Sequence, residues 1–163
     1  MSANPGQPKL RVNSYDAADR KPNQKEPGCW WRAPGRFAFY VMVHTALVAI
    51  ARRRGWETNR VEYIRVGNVE GDPLIYIWPT DEHDPDRIPL RRYRSHLSAN
   101  LSTVMVNWGL ALPTGQRNRY DLLVAEPDKS PVGPALYLDK DRVLETRWEK
   151  RAEGSSPRRS KQA

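Results

Sequence analysis

Residues 88–112, IPLRRYRSHLSANLSTVMVNWGLAL, decide how the fold is read. Leu90, Tyr93, Leu97, Leu101, Val104, Trp108 and Ala111 recur at spacings of three and four, which is one apolar stripe if the segment is helical. Ser95, Ser98, Asn100, Ser102 and Thr103 then fill the polar face. Asp86 stands where an N-cap belongs, and Pro113 with Gly115 supplies the stop. The spacing predicts a helix from about Ile88 to Leu112.

A first helix is expected upstream. Pro34 suits an opening turn, Gly55 after Arg52, Arg53 and Arg54 suits a C-terminal stop, and FAFYVMVHTALVAIA at 37–51 is apolar on every side. The three arginines there complement the negative end of the helix dipole and need no ligand to explain them. Each helix is followed by two β-rich runs. These are VEYIRV at 61–66 and LIYIW at 74–78, then YDLLVA at 120–125 and ALYL at 135–138, with Gly- and Pro-rich connections. The segment DRVLETRWEK at 141–150 is ambiguous: Leu144 and Trp148 suit a third, shorter helix at i, i+4, which is the reading favoured, and they also suit one face of a strand.

The two halves share an order of elements. Asn59-Arg60-Val61-Glu62 parallels Asn118-Arg119-Tyr120-Asp121, and Ile75-Tyr76-Ile77 parallels Leu136-Tyr137-Leu138. The expected fold class is α+β, compatible with a duplicated α-β-β unit: a four-stranded antiparallel sheet with two main helices on one face.

Working outward, residues 1–28 hold few large apolar groups, and residues 151–163 hold none. Both read as disordered tails, the C-terminal one basic, around a single domain at 29–150. A single cysteine, Cys29, excludes an intramolecular disulfide and a multi-cysteine metal site. The 15-residue apolar run falls short of a membrane span, and no secretion signal is recognised at the N-terminus. The expectation is a cytoplasmic protein with no membrane partner and no cofactor.

The formal net charge of +8 is unevenly spread. Residues 29–67 carry seven Arg and two Glu, residues 68–86 six acids and no base, and residues 87–119 six Arg and no acid. Within the last block, Arg87, Arg91, Arg92 and Arg94 crowd the start of the expected second helix, where its dipole is already positive. Free amides at a helix start favour phosphate, and arginine forks strengthen that preference. Arg117 and Arg119 extend the patch, while Trp30 and Trp31 suit base stacking. The plainer alternative is that Asp81, Glu82, Asp84 and Asp86 pair with these arginines.

Catalytic signals are poor. His44 reads as a hydrogen-bonded core residue on the apolar helix, and His83 among Asp81, Glu82 and Asp84 reads as a solvated linker. Asp121, Glu126 and Asp139 lack the lysine that a metal nuclease would place beside them. No Gly-rich phosphate loop and no nucleophile elbow occurs. The residues favour a non-catalytic nucleic-acid-binding accessory protein contacting the phosphate backbone through these arginine clusters and the basic tails, with DNA and RNA undistinguished. A protein-interaction subunit using the apolar 37–51 helix and the aromatics, compatible with a homodimer, is the alternative. A small metal-dependent nuclease comes third.

Overall fold

The structure, a computed structural model, describes residues 26–149. The expected tails at 1–28 (apart from its last three residues) and 151–163 lie outside the described residues. Strands dominate what is described. In chain order the elements are β1 (Gly28–Arg32), β2 (Arg36–Tyr40), α1 (Met42–Arg53), β3 (Tyr63–Asn68), β4 (Leu74–Thr80), β5 (Ile88–Pro89) and β6 (Arg91–Arg92). They continue with β7 (His96–Asn100), α2 (Ser102–Asn107), β8 (Gln116–Asp121), β9 (Leu123–Val124), β10 (Leu136–Asp139) and β11 (Glu145–Trp148).

Two sheets result, one of six strands in the order β11-β8-β1-β2-β7-β6 and one of five in the order β5-β3-β4-β10-β9. Their strand pairs are antiparallel. The chain crosses between sheets at Leu90, between β5 and β6, and again at Leu122, between β8 and β9. Both leucines are buried. Strands that switch sheets at such corners are how two packed sheets enclose one core.

This architecture replaces the expected α+β fold. Among the described residues there is no four-stranded sheet with two main helices on one face, and no long second helix. Residues 88–112 form β5, β6, β7 and the six-residue α2. The misleading feature is the spacing of Leu97 and Leu101. Four is an even number, so it satisfies a strand's period of two as well as a helix's 3.6. In β7, Leu97 and Ala99 point inward, while His96, Ser98 and Asn100 lie on the other face. Tyr93 and Trp108, which the helical stripe would bury, are 50% and 39% exposed. Asp86 caps no helix there; α2 starts later, where Asn100 Oδ1 accepts from the Ser102 amide at 3.1 Å.

The other differences have similar causes. The apolar run at 37–51 joins two elements, with Phe37 and Phe39 facing inward from β2 and the helix beginning only at Met42. Gly55, at φ +96°, ends that helix region as its conformation allows. Leu144 and Trp148 do not form a helical pair but belong to an exposed connection and to β11. The apparent duplication also dissolves. β4 and β10 are adjacent antiparallel strands with Tyr76 opposite Tyr137, so their likeness reflects one shared sheet environment. Residues 118–121 are in β8, whereas 59–62 form no strand.

The core joins both sheets to α1. Trp31, Phe37, Phe39 and Tyr120 line the inner side of the six-stranded sheet, with the Trp31 ring 4.9 Å from Phe37 and 5.7 Å from Tyr120. Ile64, Ile75, Ile77, Leu136 and Leu138 face them from the five-stranded sheet. α1 contributes Val43, Leu47, Val48, Ile50 and Ala51. Each large side chain so buried contributes about 1.5–3 kcal/mol. Gly35, in the β1–β2 turn, is required by close approach: a Cβ there would lie 2.8 Å from the Leu101 carbonyl oxygen and from Met105 Cγ.

His44 has a structural task. Its Nε2 accepts the Val61 amide at 3.1 Å, tying α1 to the segment leading into β3. Burial, then the charges of Arg92 and Arg60, hold its pKa below the ordinary imidazole value of 6.5. The neutral form is therefore the native one, and its contribution is complete above pH 6.5 and is lost as pH falls through the lowered folded value. His44→Leu should cost about 1–3 kcal/mol by stranding the Val61 amide. It should also flatten the fall in melting temperature between roughly pH 7 and 5, as followed by circular dichroism.

Candidate nucleic-acid interface

Alternation along β1 gives the six-stranded sheet two unlike faces. Cys29 and Trp31 point into the core, while Trp30 and Arg32 lie on the outer side. Strand register then sets which outer side chains are neighbours. Arg147 of β11 is opposite Arg117 of β8, Arg117 is opposite Arg32 of β1, and Arg32 is opposite Arg36 of β2. Four arginines thus occupy one row across four adjacent strands, at steps of about 4.8 Å. The next row carries Glu145, Arg119, Trp30, Ala38, Ser98 and Arg91.

Trp30 is half-buried in this face. The Arg117 and Arg147 guanidinium groups lie over its ring at 5.3 and 5.0 Å from the centroid. Among the described residues, Arg117 Nε is buried without a hydrogen-bond partner, and no carboxylate lies within 4.0 Å of this arginine. Glu145 accepts from Arg147 Nε at 2.6 Å and from Arg119 Nε at 3.2 Å, and these bonds hold its carboxyl below the usual carboxylate range. Arg32 pairs with Glu149 at 2.8 Å. Arg36 and Arg91 have no carboxylate within 4.0 Å among the described residues.

Beyond Trp30 the face continues with aromatic groups. Tyr40 lies over Gly28, whose missing side chain leaves the room: a Cβ there would sit 2.9 Å from Tyr40 Cε2. Arg119 donates to the Tyr40 hydroxyl oxygen. His96, opposite Tyr40 on β7, stacks on Tyr93 with centroids 4.9 Å apart and planes at 20°. Tyr93 belongs to the turn between β6 and β7, closed by its amide donating to the His96 carbonyl at 2.8 Å.

The residues singled out from sequence are therefore divided. Trp30, Arg117, Arg119 and Arg91 share the outer face, and Arg94 is exposed in the turn beside it. Trp31 is fully buried and presents nothing to a ligand. Arg92 is on the opposite side of β6, lining a cleft with Arg60 and Leu97. Arg87 belongs to the other sheet's edge, over the Tyr63 ring at 5.3 Å. No helix starts at 87, so a dipole-based phosphate site there is ruled out. Nor do the acids at 81–86 neutralise the cluster: Asp84 accepts from Arg65 at 3.1 Å and Thr80 at 2.8 Å, and Asp86 is 3.9 Å from Arg65.

Sequence reading missed Arg32, Arg36, Arg147 and Tyr40. The available signal was the alternation Arg36-Phe37-Ala38-Phe39-Tyr40, which marks Arg36 and Tyr40 as neighbours on an outward face. Two clefts adjoin or avoid this region. One of about 430 Å³, bordered by Arg32, Arg36, Thr114 and Glu149, opens at the end of the arginine row. Another of about 540 Å³, bordered by Trp56, Arg60, Glu62, Tyr63 and His83, mixes charges of both signs elsewhere. Among the described residues, no three His, Cys, Asp or Glu side chains converge as metal ligands. No described helix is long and apolar enough to cross a membrane.

Gly28→Ala tests the aromatic part of the face. The new Cβ would also meet the Tyr120 carbonyl oxygen at 3.1 Å, so the Tyr40 ring has to lift. A loss of about 1–3 kcal/mol is expected from overpacking, read as a shift of the denaturant midpoint at unchanged m-value. No protein-family model, no curated protein and no solved structure matches this chain.

Proposed function

We propose that this protein binds nucleic acid without catalysis, holding phosphates on the outer face of its six-stranded sheet. The observation that carries this reading is the row Arg147, Arg117, Arg32 and Arg36. Like charges directly opposite one another destabilise a sheet, so four in succession are a cost that folding alone does not require. A polyanion reverses the sign of that cost, and arginine forks match phosphate geometry. Arg91 and Arg94 extend the same basic side towards the β6 edge.

A protein-interaction role is the second reading, on different residues from those expected. The apolar side of α1 is spent in the core, whereas Leu123 and Val124 on edge strand β9, with Val143, Leu144 and Trp148, remain exposed. A metal-dependent nuclease has no ligand cluster to support it among the described residues.

Fluorescence anisotropy with a labelled oligonucleotide, repeated from 50 to 200 mM salt, tests the first reading. The full chain should bind with affinity falling steeply in salt. Arg36→Gln with Arg91→Gln should lower the log–log slope by about 1.4–1.8, since each lost phosphate contact removes roughly 0.7–0.9. The melting temperature should hold, because neither arginine has a described carboxylate partner. No binding at 50 mM salt would overturn the reading, and an unchanged slope would remove this face from it.

A further inference from the structure

We infer, resting on that reading, that the sheet face takes a single strand rather than a duplex, with bases stacked on Trp30 and Tyr40 beside phosphates held by the arginine row. The spacing of the two rows supports this division of labour. Arg32 and Trp30 are two residues apart on β1, and Arg36 and Tyr40 are four apart on β2, all on the outer face. Two residues of strand span about 7 Å. A backbone running across the strands over Arg147, Arg117, Arg32 and Arg36 therefore leaves its nearest bases over Trp30, while Tyr40, four residues or about 14 Å from Arg36, lies one further step along the same face.

The aromatic groups have no comparable use against a duplex. Paired bases are stacked inside the helix, where flat side chains reach them only by wedging them apart. Reading a duplex groove takes an inserted helix or a two-stranded ribbon. Here Trp30, Tyr40 and His96 sit on three adjacent strands, β1, β2 and β7, in the body of a six-stranded sheet. A broad sheet face does not enter a groove, whereas unpaired bases can lie flat on it.

The exposed contact of Arg147 over Trp30 also suits exchange. Arg147 has a side chain 54% exposed and reaches both Glu145 and the Trp30 ring. A phosphate can draw this guanidinium off the ring and free that part of the indole for a base, with Arg117 still held against Trp30. Tyr93, stacked on His96 at the far end of the face, offers a further aromatic surface as the strand leaves over β6.

The test compares a 15-nucleotide labelled single strand, as RNA and as DNA, with the same DNA annealed to its complement, at 150 mM salt. The full chain should bind at least one single strand about ten-fold or more tighter than the duplex. Trp30→Leu should weaken single-strand binding by about five- to 100-fold with an unchanged salt slope, because stacking and not charge is lost. Trp30→Phe should recover most of that affinity, which separates stacking from a loss of fold. Equal or tighter duplex binding would overturn the single-strand assignment while leaving nucleic-acid binding in place. So would equal single-strand affinity in Trp30→Leu. Failure to bind any of the three ligands would remove both.

Discussion

The pairing of β1 with β8 on one side and β2 on the other is the constraint on which the molecule depends. It places Cys29 opposite Tyr120 and Phe39, and Trp31 opposite Asn118 and Phe37. The inner face thereby receives Trp31 stacked on Phe37, around which the two sheets and α1 close. A register slip of one residue would exchange the two faces, sending Trp31 to solvent and Arg32 into the core. The burial of Trp31 is what forbids it, so the same contact that secures the core also fixes Trp30 and Arg32 outward.

Asn118 strengthens this arrangement from the neighbouring strand. Buried at the sheet's inner side, it accepts from Gln116 Nε2 at 3.1 Å and Thr146 Oγ1 at 2.8 Å, and donates to the Tyr120 hydroxyl at 3.2 Å. Tyr120 in turn donates to the Lys140 carbonyl at 3.2 Å. A buried amide satisfied in this way locks β11 onto β8, because any slip would leave its polar groups unpaired. Arg147 enters the arginine row through that lock.

The outer face bears the electrostatic consequence. Glu145 and Glu149 relieve part of the repulsion within the row, and they do so from its own end strand and the residue just beyond it. Pairs this exposed contribute little to stability, so the row is tolerated because solvent screens it and the aromatic core offsets it. The resulting surface keeps its positive character at Arg36 and Arg91, where no described carboxylate intervenes.

Several strands were legible in the residues: the β-rich runs near 61–66, 74–78 and 135–138 lie on or overlap β3, β4 and β10, and Gly55 marks the end of α1's region. Their β-branched and aromatic side chains bias the backbone locally, as does a glycine at positive φ. Residues 88–112 were not legible, because Leu97 and Leu101 fit either period and the choice fell to burial against Phe37, Phe39 and Met105. Basic character near Arg117 and Arg119 was likewise open to reading from composition. The row that joins Arg117 to Arg32, Arg36 and Arg147 was not, since those residues are up to 115 positions apart in the chain. Local preference is a property of neighbours along the chain, whereas cross-strand neighbours exist only once the core has chosen which strands pair and in which register.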